Sequence, residues 1–421
     1  RVARRLEGLD NVVGYDTLNE PAPGYIGWPD LSAADGLLRL GDSPTPFQSM
    51  MLGAGYSLEI EIWSVGIRGP RRKAQRMVNV EAASAWLEGH PPLWREHGVW
   101  DLDGQGRPRL LRPDYFSAID GRRVDFAADH LRPFMERYAR TIRAVDPGAI
   151  IFLEAPPRLA PPAWDTEALP RVVHAAHWYD GLTLLTKTYI PNMGVDYASG
   201  GLVVGRRRVR RSFARQLGQL KTEAEEHLGG APTLLGEFGI PFDLRGGRAY
   251  DRGDFGQQVQ ALDDTFQALE ANLLSGTLWN YTADNDNQRG DQWNGEDLSI
   301  FSRDQQDDPD DLDSGGRALA SAVRPYAQAV AGEPLSMTYN PGRREFEFEF
   351  RHDETVEAPT ELYVPNLHYP DGYVVHVSDG EYTVDRENQR LIYRHTGDQS
   401  VHSLRLRPAK GQPRRRRRGR R

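Results

Sequence analysis

Two carboxylates stand out because each one follows directly on an apolar run. Glu20 closes the segment "NVVGYDTLNE" (11–20), and Glu237 lies within "TLLGEFGIP" (233–241). A buried carboxylate loses much of its hydration, so each group must be hydrogen-bonded, paired with a cation or catalytic. Two carboxyl groups that face one sugar can cleave a glycosidic bond, because one protonates the leaving oxygen while the other attacks the anomeric carbon or activates water. The alternative is that both glutamates are structural ionic groups at strand ends.

Other polar and aromatic side chains follow further apolar runs. These runs are "AIIFLEAPP" (149–157), "VVHAAHWYD" (172–180) and "SGTLWNYTADN" (275–285). The site candidates besides the two glutamates are Asn19, His177, Tyr179, Trp279, Asp284 and Asn285, with Glu154 as a secondary candidate for shaping the site. Each has a plainer alternative: the His, Tyr and Trp side chains could be satisfied core groups, and the loop Asp and Asn residues could form turns.

Stretches of helical character separate these runs. They cover residues 129–148, 212–230 and 254–273, with apolar residues at three- and four-residue spacing. Buried strands that alternate with amphipathic helices predict a parallel sheet with helices outside it. Because the polar residues collect at the carboxyl ends of the strands, the pattern is typical of a TIM (β/α)₈ barrel, which builds its active site there.

The number of strand–helix units is smaller than a closed barrel requires. Five units precede residue 330 in the sequence, and the first residue is Arg1 rather than a methionine. A closed barrel has eight strands. We therefore predict that residues 1–330 are the C-terminal portion of a catalytic barrel, with strands four to eight present and the first three missing before Arg1. Without the N-terminus, the sequence does not decide between a cytoplasmic and a secreted location.

A long insertion over residues 28–125 interrupts the alternation and is rich in Pro, Gly and Trp. Loops of this length usually act as lids or binding loops. Its large apolar side chains are Phe47, Met50, Met51, Leu52, Trp63, Trp86, Trp94 and Trp100. These side chains could line a groove for a lipid or contact a membrane surface, or they could simply attach the insertion to the barrel.

The pattern after the barrel segment becomes purely β. In "REFEFEFRH", Phe346, Phe348 and Phe350 alternate with charged residues, which is the two-residue period of a half-buried strand. Further segments of the same kind, separated by turn residues, predict a small antiparallel β-sandwich domain over residues 334–408. Such a domain could be a structural cap or could bind carbohydrate, because a fold does not by itself imply a function.

The chain is acidic, with a formal net charge of −8, although seven arginines lie in its last eight residues, "RRRRRGRR". An acidic body argues against a nucleic-acid groove, and the arginines predict a disordered basic tail over residues 409–421. The sequence has no cysteine, no run of about 18 apolar residues and no GxGxxG, P-loop or HExxH motif. We therefore expect no cofactor and no metal requirement. The sequence leaves the oligomeric state open, and a monomer is our expectation.

The ordered set of short motifs resembles a known family. "NEP", "HWY", "GEFG" and "LWNY", each at the end of a strand-like run, resemble glycoside hydrolase family 5, a family of retaining O-glycoside hydrolases on a TIM barrel. The longer segments "LNEPAPGYIG", "TPFQSMMLG", "WREHGVWD" and "LWNYTADNDNQRGDQWNGEDLSIFS" are more specifically similar to its endoglycoceramidase, glucosylceramidase and steryl-β-glucosidase branch. The resemblance covers nearly the whole chain.

The resemblance implies roles for the candidate residues. Glu20 would be the acid/base, and Asn19 beside it would hold the 2-hydroxyl of the sugar. Glu237 would be the nucleophile, with the small residues Gly236 and Gly239 allowing the sugar to approach closely.

Three further residues complete the site that the resemblance implies. Tyr179 would donate a hydrogen bond to Glu237, and His177 would contact the acid/base or the sugar. Trp279 would form the floor under the reacting sugar, because an indole face packs against the apolar face of a pyranose. Apart from the resemblance, Asp284 and Asn285 are candidates for contacts with sugar hydroxyls, with turn formation as the alternative.

Three functional hypotheses remain open at this point. The first is hydrolysis of a glycolipid such as glucosylceramide, an oligosaccharyl ceramide or a steryl β-glucoside, with peripheral membrane contact left open. The second keeps the same chemistry but takes a soluble β-glucan or an aryl β-glucoside as substrate. The third is a catalytically dead carbohydrate-binding protein, which would follow if the natural chain started at Arg1.

Overall fold

The computed structural model describes residues 1–34, 39–66 and 69–409. The predicted basic tail, from residue 410 onward, lies outside the described residues. The chain divides into two compact units: the first unit is Arg1–Ala175 with Glu223–Pro232, and the second unit is Ala176–Thr222 with the residues from Thr233 onward. Among the helices of the described residues, none combines the length and the apolar character that a membrane-spanning segment needs.

The first unit contains short helices and many short strands. The helices are α1 (Val2–Leu6), α2 (Pro46–Gly53), α3 (Leu93–Glu96) and α4 (Arg132–Arg143), the last preceded by a π-helical turn at Ala127–Leu131. The strands are β1 (Gly14–Asp16), β2 (Gly41–Asp42), β3 (Leu58–Gly66), β4 (Gly69–Val78), β5 (Trp100–Leu102), β6 (Pro108–Leu110), β7 (Ala118–Ile119), β8 (Arg122–Arg123), β9 (Ile150–Leu153) and β10 (Val172–His177). Strand β10 continues from the first unit into the second.

Three parallel strands form the center of the first unit. Strand β9 pairs with β1 on one side and with β10 on the other, and Ile151 lies opposite both Tyr15 and Val172. Ile151 and Leu153 are buried against Met135 and Ala139 of α4. Gly14 is needed in β1, because a Cβ atom there would lie 2.2 Å from the carbonyl oxygen of Ile150. The predicted alternation of buried strands with an amphipathic helix is confirmed here.

The insertion over residues 28–125 has secondary structure of its own. Strands β3 and β4 form a long antiparallel hairpin, and α2 begins with a capping box in which Thr45 and Gln48 exchange hydrogen bonds. Met50, Met51 and Trp100 lie inside a small apolar cluster, with Met51 only 2% exposed. These three side chains form the core of the insertion itself, so the interpretation of them as groove residues is wrong.

The second unit contains the remaining elements. Its helices are α5 (Gly181–Thr186), α6 (Arg206–His227), α7 (Leu244–Gly247), α8 (Gly256–Asn272) and α9 (Leu319–Ala322), with a 3₁₀ turn at Arg303–Gln305. Its strands are β11 (Met193–Asp196), β12 (Gly201–Val204), β13 (Thr233–Phe238), β14 (Ser275–Leu278), β15 (Tyr326–Ala329), β16 (Gly332–Asn340), β17 (Glu345–His352), β18 (Thr360–Tyr363), β19 (Tyr373–Val377), β20 (Glu381–Asp385), β21 (Arg390–Arg394) and β22 (Val401–Pro408).

Strands β13 and β14 are parallel neighbors, as the sequence predicts. Leu235 and Phe238 of β13 are buried in the same core as Leu262 and Leu269 of α8. Helix α6 begins at Arg206, six residues before the predicted start. The arginine-rich residues 206–211 therefore form its first turns, where Arg210 Nε donates to Asp264 Oδ1 at 2.7 Å.

The C-terminal β domain consists of two antiparallel sheets. Their strand orders are β15-β18-β21-β20 and β16-β17-β22-β19. Phe346, Phe348 and Phe350 all point into the core between the sheets, which confirms the predicted alternation. The domain begins at Tyr326 rather than at residue 334, because β15 and the start of β16 lack the regular alternation that marks β17 in the sequence.

A buried ion pair fixes the long segment that follows β14. Arg317 is fully buried and donates to both carboxylate oxygens of Asp297, at 2.6 and 3.0 Å. Asp297 also accepts hydrogen bonds from Asn285 and Tyr250, and the Arg317 Nε donates to the carbonyl oxygen of Ser299. The carboxylate therefore gathers donors from three separate parts of the chain.

We predict that Arg317→Leu lowers the free energy of unfolding by about 3 kcal/mol, because it leaves the Asp297 carboxylate buried without its cation. Urea denaturation measures this loss. Arg343→Leu is the matched control, since Arg343 is exposed and lies 3.9 Å from Glu345; its effect should stay below about 0.5 kcal/mol. Equal losses for the two variants would contradict the assignment.

Candidate active site

The first unit places Glu20 just beyond β1 in an unusual backbone conformation. Glu20 has a φ of +42°, in the left-handed region that non-glycine residues rarely occupy. Its N–H donates to the Oε2 atom of Glu154 at 2.7 Å, and the Glu154 N–H donates to the Thr17 hydroxyl. Glu154 is buried at the end of β9. It therefore holds the backbone of Glu20, and its role in shaping the site stays a prediction. Asn19, next to Glu20 in the chain, is exposed.

In the second unit, two predicted site residues, His177 and Tyr179, contact the carboxylate of a third, Glu237. The Tyr179 hydroxyl donates to Glu237 Oε2 at 2.9 Å, and the Nδ1 atom of His177 lies 3.3 Å from the same oxygen. The side chains of His177 and Glu237 are 5% and 16% exposed. The predicted Tyr179–Glu237 hydrogen bond is thus present.

The elements around Tyr179 hold it in place. The Tyr197 hydroxyl donates to the Tyr179 carbonyl oxygen at 2.6 Å, and the Trp178 N–H donates to the Glu237 carbonyl oxygen at 3.1 Å. Asp180 follows directly and caps α5, accepting from the Leu182 N–H and the Thr183 hydroxyl. The hydrogen bond between the backbones of Trp178 and Glu237 therefore aligns the residues that carry the site, and it does not depend on the side chains of Tyr179 and Glu237.

Trp279 follows β14, and its N–H donates to the carbonyl oxygen of Phe238 at 2.8 Å. A Cβ atom on Gly239 would lie 2.1 Å from the Trp279 carbonyl oxygen. The glycine is therefore needed because the backbone of Trp279 passes close to it, whereas the resemblance implied that it makes room for a sugar. The indole of Trp279 meets that of Trp293 edge to face, with ring centroids 5.8 Å apart. Trp293 is 48% exposed and was not among the predicted site residues. The sequence contains no signal for Trp293, because it lies in a loop and does not follow an apolar run that predicts a strand.

Asp284 and Asn285 are adjacent in sequence but have different environments. Asp284 is exposed. Asn285 has no exposed surface, and its amide donates to both Asp291 and Asp297 at 2.9 Å. We assign Asn285 to the support of the loop that carries Asp284, and a direct contact of its side chain with a sugar does not fit this burial.

The chain is similar to several known glycosidases. The model of the glycoside hydrolase family 5 C-terminal domain matches residues 324–406. A glucosylceramidase from Rhizopus delemar is 34% identical over 94% of this chain and 62% of its own length. An ergosteryl-beta-glucosidase from Saccharomyces cerevisiae is 28% identical over 91% of this chain and 62% of its own length. The crystal structure of Cryptococcus neoformans sterylglucosidase 1 superposes with a TM-score of 0.89 and 29% identity, covering 98% of this chain and 67% of that chain.

The chain is thus similar to glycoside hydrolase family 5, and the resemblance seen in the sequence motifs is confirmed. Its fold is accordingly that of the family, a TIM-barrel segment followed by a C-terminal β domain, and the predicted fold class is confirmed at this level. The chain spans less than two thirds of the length of the Rhizopus and Saccharomyces relatives. That three more strands precede Arg1 stays a prediction.

Burial raises the pKa of Asp180 to about 6. The carboxyl of an unfolded chain titrates near 4, so its contribution to stability is fully present below about pH 4 and is lost as the pH rises through about 6. Relative to Asp180→Asn, which keeps a capping side chain, we predict that the wild type loses about 3 kcal/mol of unfolding free energy over this window. Chemical denaturation at a series of pH values measures it.

Asp385→Asn is the control of opposite sign. A hydrogen bond from Asn388 lowers the pKa of the partly exposed Asp385, so its contribution to stability is present at neutral pH and is lost as the pH falls. If the difference between wild type and Asp180→Asn did not change between pH 4 and 7, the raised pKa of Asp180 would be wrong.

Proposed function

We propose that this protein is a retaining β-glycosidase that hydrolyses the β-glucoside bond of a glycolipid. In the first step, Glu237 attacks the anomeric carbon while Glu20 protonates the leaving oxygen, and the aglycone departs. In the second step, Glu20 takes a proton from water, the water oxygen attacks the same carbon, and the sugar–Glu237 bond breaks. Each step inverts the anomeric center, so the product keeps the β configuration.

The observation that carries this proposal is the contact between Tyr179 and Glu237. A nucleophilic carboxylate must be ionized, aimed and short of water, and Glu237 is mostly buried with a phenol hydroxyl 2.9 Å from one oxygen. Glu20 differs in kind. It lies in the loop after a different strand, β1, and the N–H of its strained backbone donates to the buried carboxylate of Glu154, which is typical of a residue held for function.

The names of the relatives support a lipid glucoside as the substrate class. One is a glucosylceramidase and another an ergosteryl-beta-glucosidase, and both align with more than nine tenths of this chain. Trp279 and Trp293 provide indole faces that suit a pyranose ring. We include peripheral membrane contact and a monomeric state in the proposal, together with the roles of Asn19 and Asp284 as sugar contacts.

A soluble β-glucoside is the second candidate substrate. It is favored by one observation: Met50, Met51 and Trp100 of the insertion are buried among themselves and are not available to a lipid chain. Hydrolysis of glucosylceramide or of a steryl β-glucoside, compared with cellobiose under the same detergent conditions, separates the two. If cellobiose were the only substrate cleaved, the proposal of a glycolipid substrate would be wrong, while the proposed reaction mechanism would still hold.

We predict that Glu20→Ala and Glu237→Ala each lower kcat by about 10³-fold or more on every substrate that the wild type cleaves. Added azide should then distinguish the roles. In Glu20→Ala it attacks the covalent intermediate and gives a β-glucosyl azide, whereas in Glu237→Ala it attacks the substrate directly and gives an α-glucosyl azide. NMR of the products measures the anomeric configuration. Wild-type turnover in both variants would refute the proposed function, including the catalytic roles of Glu20 and Glu237.

We predict that Tyr179→Phe lowers kcat by about 10- to 100-fold, because a hydrogen bond to a charged group is lost from the nucleophile. KM should change less, since the hydroxyl contacts Glu237 and not the bulk of the substrate. Tyr382→Phe is the matched control, because Tyr382 is an exposed residue of the β domain. A loss of kcat that is equal in the two variants would contradict the role of Tyr179.

A further inference from the structure

Three histidines meet at one end of the C-terminal β sandwich, in the second unit. His352 is the last residue of β17, His402 is the second residue of β22, and His395 comes directly after β21. One ring nitrogen from each lies within 4.8 Å of the others. Strands β17 and β22 belong to one sheet and β21 to the other. The three imidazoles therefore connect the two sheets of the sandwich.

A carboxylate sets the tautomer of the innermost ring. His402 is fully buried, and its Nδ1 atom lies 3.1 Å from Asp379 Oδ1. Asp379 also accepts hydrogen bonds from the hydroxyls of Tyr393 and Thr396. A carboxylate surrounded by donors acts as an acceptor, so the Nδ1 of His402 carries its proton and its Nε2 presents a lone pair. A carboxylate behind an imidazole is the usual second shell of a metal-binding histidine.

The lone pair of His402 points at its neighbors. Its Nε2 atom lies 2.8 Å from the Nδ1 atom of His352, and the ring centroids of His395 and His402 are 4.4 Å apart. Two nitrogens bound to one tetrahedral zinc ion lie about 3.3 Å apart. The His352 ring is partly exposed. A small rotation that moves its Nδ1 atom about half an ångström away from His402 Nε2 gives that spacing. The ring proton of His352 then resides on Nε2, and no proton is released.

We propose that His352, His395 and His402 bind a divalent first-row transition-metal ion, with Zn²⁺ as the reference case. His352 Nδ1, His402 Nε2 and one nitrogen of His395 supply three ligands, and water completes a tetrahedral set from the solvent side, where His352 and His395 are partly exposed. Neutral imidazole is the ligand that Zn²⁺, Cu²⁺ and Ni²⁺ favor. The ion joins the two sheets and stabilises the folded domain, because it binds the native site and not the unfolded chain.

The competing interpretation is a purely organic cluster. The rings of His352 and His395 are stacked, with centroids 5.0 Å apart and an angle of 17° between their planes. Stacking and the His352–His402 hydrogen bond could tie the sheets together without an ion. This interpretation predicts no specific zinc uptake, so it is an outcome that would overturn the proposal.

Isothermal titration of the metal-free chain with ZnCl₂ tests the site. The variants are His395→Ala and His352→Gln, both at partly exposed positions, and the matched control is His376→Ala, an exposed histidine of the same domain on β19. We expect the wild type and His376→Ala to bind one Zn²⁺ that the two cluster variants lose. Circular dichroism verifies that all four proteins fold alike. Equal uptake by all four proteins, or no uptake by the wild type, would overturn the proposal.

Two further measurements distinguish a built site from adventitious zinc. Asp379→Asn should weaken Zn²⁺ binding by about 10- to 100-fold, because the second-shell partner orients His402. Co²⁺ in place of zinc should give the intense visible absorption of a four-coordinate ion in the wild type and in His376→Ala only. If Asp379→Asn bound zinc as tightly as the wild type, or if the Co²⁺ spectrum were that of the hydrated ion, the site would be refuted. Neither readout depends on glycosidase activity.

Discussion

The structure depends on one constraint: a carboxylate at the end of a buried strand must receive its hydrogen-bond donors from the protein. Glu237 receives the Tyr179 hydroxyl, and Glu154 receives the N–H of Glu20. Each contact joins residues far apart in the chain, so satisfying the carboxylate also aligns the strand ends. In this way the cost of burying negative charge fixes the positions of the groups that the proposed chemistry needs.

The same principle operates away from the site. Helix α8 has buried acidic residues as well as an apolar face, and Glu270 and Asp263 both pair with the buried Arg324 just before β15. Glu270 also accepts the N–H of Tyr339 in β16. Helix α8 of the barrel segment therefore makes a direct hydrogen bond to the β domain, through Glu270 and Tyr339. The two parts of the second unit are joined by charge that is satisfied only when both are folded.

Much of this arrangement could be predicted from the sequence, because strand ends and periodicity are local signals. Each of the five apolar runs contains a strand, and the alternation of Phe346, Phe348 and Phe350 correctly predicts which face of β17 is buried. The role of Asn285 could not be predicted, because a loop asparagine looks the same whether it meets solvent or two buried aspartates. The inward packing of Met50, Met51 and Trp100 was equally hidden, since composition does not state which side chains contact one another.

The backbone of Glu20 has an evolutionary consequence. A left-handed conformation costs a glutamate about 1 kcal/mol or more, whereas glycine and asparagine adopt it with little penalty. Selection for thermal robustness alone would thus push this position toward Gly or Asn and away from a carboxylic acid. If Glu20 has the proposed acid/base role, its retention at this position indicates selection for turnover, and its replacement by Gly or Asn would be an early sign that this selection has ended.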